Sequence, residues 1–148
     1  MKLAKKEIQE LAELDALCFK PPINYSFRDI VFYTKPDHAL LIRRYSGKKL
    51  IAFCLGSIKD GSIVTIDVHP DFRRRGLGRL LLEEIIEEFK KRGVRRAVSQ
   101  IALDNLPSLK LHKELGFVIT HILYGYYPDG SAAYELVLDL GAPSSPKK

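Results

Sequence analysis

Two cysteines in 148 residues, Cys18 and Cys54, stand far apart and form no C-x-x-C or Cys/His pattern. That spacing suggests neither a disulfide framework nor a zinc site, so both read as small core residues and no metal is expected. No apolar run is long enough to span a bilayer, and no membrane contact is expected. Residues 1–9 carry four charged side chains where a signal peptide would carry its apolar stretch, so the protein is expected to be cytoplasmic. No internal repeat is visible. Acidic residues are the scarcer charge: 18 Asp and Glu against 24 Lys and Arg leave a net charge of +6. That excess suits an anionic ligand or partner, whether a coenzyme, a nucleic acid or the ribosome.

With 46% apolar and 28% charged residues, the chain has the composition of one soluble domain over residues 1–140. A Pro-, Ser- and Lys-bearing basic tail over 141–148 is expected to be disordered. Residues 1–4 could form a rudimentary first strand. Ile8, Leu11, Ala12, Leu14 and Leu17 then recur at helical spacing, the pair Pro21-Pro22 breaks the pattern, and Ser26 with Asp29 forms a capping box for a short helix through Tyr33. Three strand-like runs follow, Ala39–Tyr45, Leu50–Lys59 and Ser62–Val68, the last two joined by the tight-turn pair Asp60-Gly61. A helix over Leu77–Arg92, a strand over Val94–Ile101, a helix from Asn105 to Leu115 and strands over Phe117–Leu123 and Ala132–Leu140 complete the order.

The stretch 65–82 organises the rest. Pro70 ends the strand, and Leu77, Leu80, Leu81, Ile85, Ile86 and Phe89 begin an amphipathic helix, so the loop between them feeds a helix N-terminus. Unpaired amides and the helix dipole attract an anion there. Gly76 and Gly78 allow close backbone approach, while Arg73, Arg74, Arg75 and Arg79 raise the positive potential; a diphosphate is the natural guest. Read alone, three arginines also describe a solvated basic loop. The dinucleotide fingerprint lacks its third glycine, which Leu81 replaces, and no P-loop is present.

The run Arg73-Arg74-Arg75-Gly76-Leu77-Gly78, preceded by Val68-His69-Pro70 and followed by that helix, resembles the coenzyme-A pyrophosphate loop of the GNAT acyltransferase superfamily. The segment from Asn105 to Phe117 resembles the same superfamily's N-x-x-(S/A)-x-x-L-(Y/H)-x-x-L-G-F motif. The resemblance implies an α+β fold with a mixed, mostly antiparallel sheet splayed between its fourth and fifth strands and flanked by about four helices. It implies acetyl-CoA as acetyl donor, bound by Val68, Arg73, Arg74, Arg75, Gly76, Leu77, Gly78, Arg79, Asn105 and Ser108. Without the family, Asn105 is a helix N-cap and Gly116 a C-cap.

The resemblance also implies direct attack of an amine on the thioester, with a free amide near Val68 facing the thioester oxygen. The base position, five residues before the motif asparagine, holds Gln100, which cannot take a proton but could orient a water. The position of the family's acid tyrosine holds His112, which could move a proton from the ammonium or to the leaving thiolate, or could be a surface histidine. His69 has little claim to catalysis, and His38 and His121 have no motif support. The run Tyr124 to Tyr134 resembles the N-Y-Y-x-D-G-x-x-A-Y segment of protein N-terminal acetyltransferases of the ribosomal-protein-alanine type, with Gly125 replacing the asparagine. That branch implies a protein or peptide N-terminus as acceptor, clasped by Tyr126, Tyr127 and Tyr25, near the ribosome. The histidine points instead to a small amine or amino acid as acceptor, and the arginines to a basic RNA-binding module without catalysis. The chain is expected to be a monomer or homodimer.

Overall fold

The computed structural model describes residues 2–141. The expected tail therefore falls, apart from Gly141, outside the described residues. Helical spacing buries Ile8, Leu11 and Leu14 on one side of α1 (Lys5–Cys18). Residues 2–4 do not form the expected strand. They lead directly into α1, where the Ala4 N–H donates to the Glu7 carboxylate at 2.9 Å. Helix α2 (Phe27–Tyr33) opens on the expected reciprocal cap: Asp29 N–H donates to Ser26 Oγ at 3.1 Å, and Ser26 N–H donates to Asp29 Oδ2 at 2.9 Å. Such a cap contributes about 1 kcal/mol.

Strands β1 (Ala39–Ser46), β2 (Lys49–Ser57) and β3 (Ser62–Val68) form the expected antiparallel meander. Helix α3 (Leu77–Lys91), β4 (Arg96–Ala102), α4 (Leu106–Glu114), β5 (Val118–Leu123) and β6 (Ala133–Asp139) follow. Among the described residues, six strands lie in the order β1-β2-β3-β4-β6-β5, with β3 and β4 the one parallel pair. Because residues 2–4 stay out of the sheet, the pair expected as fourth and fifth is the third and fourth.

Strand alternation gives the sheet two dressed faces. On one, Leu81, Leu82, Ile85 and Phe89 of α3 and Leu109 of α4 pack against Cys54, Ala97 and Leu136. On the other, Leu11, Leu14 and Ile30 of α1 and α2 cover Phe53 and Leu55. Full burial of each large side chain contributes roughly 1.5–3 kcal/mol, which fixes both helix layers to the sheet and so fixes the strand ends between them.

Strands β3 and β4 pair only at Ser62/Val98 and Ile63/Ser99. Beyond that point they diverge. The register of β3 on β2 skips Val64, a bulge that turns the following residues. The His69 N–H donates to Ile51 O at 2.7 Å, with Ala52 opposite Val68. In an antiparallel ladder this leaves the N–H and C=O of Val68, and by alternation those of Ile66, pointing away from β2 into the gap.

Candidate active site

The gap opens into a cleft of about 820 Å³ running from the start of α3 to the loop between β5 and β6. At its first end, Arg73, Arg74, Gly76, Leu77 and Gly78 form the wall. Gly76 is the α3 N-cap with φ +79°, a conformation that favours glycine, and a Cβ there would meet nothing within 4 Å. That position is open, and the first-turn amides of α3 lie next to it in sequence. With two guanidinium groups beside them, they suit a diphosphate. Asn105 and Ser108 also line the cleft, and Asn105 caps α4 by accepting the Ser108 N–H at 3.3 Å.

Arg75 and Arg79 are not brought into the cleft wall. The Arg75 guanidinium lies over the Phe72 ring at 5.1 Å, and Arg79 pairs with Glu114 at 3.3 Å and Glu83 at 3.5 Å. Arg73 braces the strand end, its Nε donating to Val68 O at 3.0 Å. The Cys18 thiol donates to the same oxygen at 3.3 Å. Cys54 is a core residue as expected, but half-buried Cys18 belongs to the cleft wall. Burial first, then the nearby Asp67, pushes the Cys18 thiol up to about 11, so it stays protonated.

Tyr25, Tyr126 and Tyr127 line the other end. The Tyr126 and Tyr127 rings meet edge to face at 4.9 Å, and Tyr25 meets Tyr33 at 5.4 Å. Burial raises all three lining phenols, Tyr127 to about 12, so each keeps its proton. Tyr25 is anchored twice: its hydroxyl donates to Val64 O at 3.3 Å and its N–H to Asp15 Oδ2 at 2.5 Å. Asp15 and Asp67 are both buried, with Thr65 Oγ1 lying 2.5 Å from Asp67 Oδ1 and 3.4 Å from Asp15 Oδ1.

His112 is not a surface residue; it is 2% exposed against the cleft floor. Its Nε2 lies 3.0 Å from Ser99 Oγ and its Nδ1 2.8 Å from the Ser108 carbonyl oxygen. Gln100 lines the cleft on the opposite face of β4, and its Nε2 donates to Glu135 Oε1 at 3.1 Å. Sequence reasoning missed Ser99, Glu135, Ile66 and the Asp15–Thr65–Asp67 cluster. Each depends on strand register or on a helix crossing a strand, which no local motif records.

The sequence profile of the acetyltransferase (GNAT) family matches residues 8–117. The chain belongs to that family. This acetyltransferase is 29% identical over 109 residues to the [ribosomal protein bS18]-alanine N-acetyltransferase of Salmonella typhimurium, a match covering 72% of this chain and 74% of that protein. Its fold is similar to the crystal structure of the ribosomal-protein-S18-alanine N-acetyltransferase from Escherichia coli, with a TM-score of 0.84 at 24% identity over 100% of this chain and 97% of that one. It is also similar to YncA from Salmonella typhimurium, solved with its cofactor acetyl-CoA, with a TM-score of 0.76 at 17% identity over 99% and 96% of the two chains. The chain is thus an enzyme of the acyltransferase class, an N-acetyltransferase. Among the described residues, no group of three His, Cys, Asp or Glu side chains could hold a metal ion, and no helix is long and apolar enough to cross a membrane.

Proposed function

We propose that this N-acetyltransferase moves the acetyl group of acetyl-CoA to the α-amine of a protein or peptide N-terminus. One observation carries the reading: a single cleft joins an anion seat at the start of α3 to a tyrosine-lined mouth, through a gap where β3 turns its amides outward. The names of its relatives, which act on a ribosomal-protein alanine, support the choice of acceptor. The net charge of +6 suits work close to the ribosome.

The residues present fit the donor. Gly76, Leu77 and Gly78, with Arg73 and Arg74, would hold its diphosphate, and Asn105 and Ser108, which line the same cleft, would contact the arm that follows. When bound, acetyl-CoA supplies an activated acyl carbon. The outward amides of Ile66 and Val68 are fixed donors for negative charge developing on an acyl oxygen, an effect worth a few kcal/mol in acyl-transfer enzymes. A thiol leaving group near pKa 8.5 needs little help. The attacking amine must be neutral. For an α-amine near 7.7–8.0 that costs about 1 kcal/mol at pH 7, against about 4–5 for a lysine near 10.4. A cleft whose motif position carries an amide in place of a carboxylate suits the less basic amine.

A screen of N-terminal peptides and small amines for release of free thiol tests the reading. Turnover of peptides is expected; turnover confined to small amines would overturn the acceptor, and no thermal stabilisation by acetyl-CoA would overturn the donor. A non-catalytic RNA-binding role gives way to the family assignment, since the chain is an acyltransferase.

A further inference from the structure

We propose that Glu135 is the proton acceptor for the incoming amine, replacing the carboxylate that Gln100 lacks. The inference rests on the acetyl transfer proposed above. Gln100 and Glu135 stand opposite each other in the β4/β6 register. Both point away from the face where Ala97, Ile101 and Leu136 meet α3, and so toward the side of the sheet that carries α1, Tyr25 and the tyrosine mouth. Gln100 uses its Nε2 on Glu135 Oε1 at 3.1 Å, which leaves its amide oxygen for the cleft that it lines. An acceptor oxygen in the wall, backed by a carboxylate, can hold a water between an ammonium group and Glu135.

The other carboxylates and bases are worse placed. The two nitrogens of His112 are taken by Ser99 and Ser108 on the opposite face. Asp15 and Asp67 are fully buried and face each other across the Thr65 hydroxyl, with no exposed group beside them among the described residues to pass a proton on. Asp104 lines it but is exposed at the turn before α4. Glu135 also has a way out for the proton: its Oε2 lies 3.3 Å from Nδ1 of His121, a side chain 66% exposed. This gives a role to a histidine that no motif marks. In the step, an N–H bond of the ammonium breaks as the bridging water takes its proton, and an O–H bond of that water breaks as Glu135 is protonated. The nitrogen lone pair is then free to attack, and the Glu135 carboxyl returns its proton through His121 to solvent. The titratable groups facing Glu135 are His121 from β5 and Tyr126 from the β5–β6 loop; β4 contributes the non-titrating Gln100.

Steady-state kinetics of the full chain with an N-terminal peptide test the assignment. Absence of wild-type turnover with any amine would count against the acetyl-transfer reading itself, not against Glu135. Glu135→Gln can still accept the Gln100 hydrogen bond but cannot take a proton. It is expected to lower kcat at pH 7 about 5- to 10-fold, the deficit set by the small neutral fraction of an α-amine near 7.7–8.0, with KM and the acetyl-CoA thermal shift retained. The deficit should shrink toward pH 9, where the α-amine is already neutral. The exchange Gln100→Glu with Glu135→Gln is expected to recover at least about half of wild-type kcat. Unchanged kcat in Glu135→Gln, an equal deficit at every pH, no recovery in the exchange, or a comparable loss in Asp104→Asn alone would each overturn the proposal.

Discussion

His112 Nε2 lies 3.0 Å from the Ser99 hydroxyl while its Nδ1 lies 2.8 Å from the Ser108 carbonyl oxygen. A carbonyl only accepts, so Nδ1 carries the hydrogen, and in the neutral ring Nε2 then accepts from Ser99. Burial, partly opposed by the Ser108 hydrogen bond, lowers the ring's affinity for a proton. The folded state therefore keeps His112 neutral, whereas the unfolded chain protonates it below about 6.5. Stability from this group is complete above that value and is lost as pH falls below it. Thermal melts across pH 5–8 should show the wild type's advantage over His112→Gln largest at pH 8 and shrinking toward pH 5; a constant difference would contradict the neutral ring. His112→Ala should also lower turnover with little change in acetyl-CoA affinity, because the ring fixes a hydroxyl in the cleft wall without seating the diphosphate.

Asp67 gives the opposite pH signature. It is fully buried, its Oδ2 has no hydrogen-bond partner among the described residues, and the one hydroxyl hydrogen of Thr65 must serve both it and Asp15. Burial first, then the neighbouring Asp15, raises Asp67 well above the carboxylate range, so it is held protonated. For an acid raised in the fold, the contribution is fully present below the unfolded value near 4 and is lost as pH rises through the folded value. Asp67→Asn removes the titration. Its melting temperature should rise relative to wild type between pH 5 and pH 9, and a fixed offset would show that Asp67 is not held protonated.

The two site motifs were legible because each is local: Gly76 and Asn105 act through the backbone of their own turns, at φ +79° and through a hydrogen bond three residues on. The tyrosine mouth was legible only through resemblance, since nothing in the spacing of Tyr25 and Tyr126 says that they meet. Glu135 and Asp67 were illegible for a physical reason. Glu135 matters because β6 inserts between β4 and β5 and sets it against Gln100, 35 residues away. Asp67 meets Asp15 only after the skip at Val64 sets the register of β3. The run of arginines misled in part, because sequence treats all four as loop charge while Arg79 is spent on Glu114.

Gly61 is the tightest turn in the frame of the cleft. A Cβ there would lie 1.9 Å from Arg96 O, at φ +75°, where Val98 N–H donates to Gly61 O at 2.9 Å and holds the closed end of the β3/β4 wedge. Gly61→Ala should cost at least about 2 kcal/mol in urea unfolding, from backbone strain and overpacking together. Gly47→Ala, at φ +59° but with open space around it, should cost about 1 kcal/mol. Equal losses would show that the contact with Arg96 does not constrain the wedge.

Gly76 separates coenzyme binding from folding. Its Cβ position is open and its φ is +79°, so Gly76→Ala bears a strain of about 1–2 kcal/mol and places a methyl group at the anion seat. Gly76→Asp adds a negative charge where a diphosphate would sit. Acetyl-CoA at a hundred times its Kd stabilises a protein by about 2.7 kcal/mol, a shift that a thermal melt resolves easily. In Gly76→Asp that shift should vanish, while the ligand-free protein loses no more than the backbone strain. Arg79→Ala should keep most of the shift, because its guanidinium is already committed to Glu83 and Glu114 outside the cleft. If Arg79→Ala abolished the shift and Gly76→Asp preserved it, the phosphates would lie along the exposed side of α3, away from the amides of its first turn.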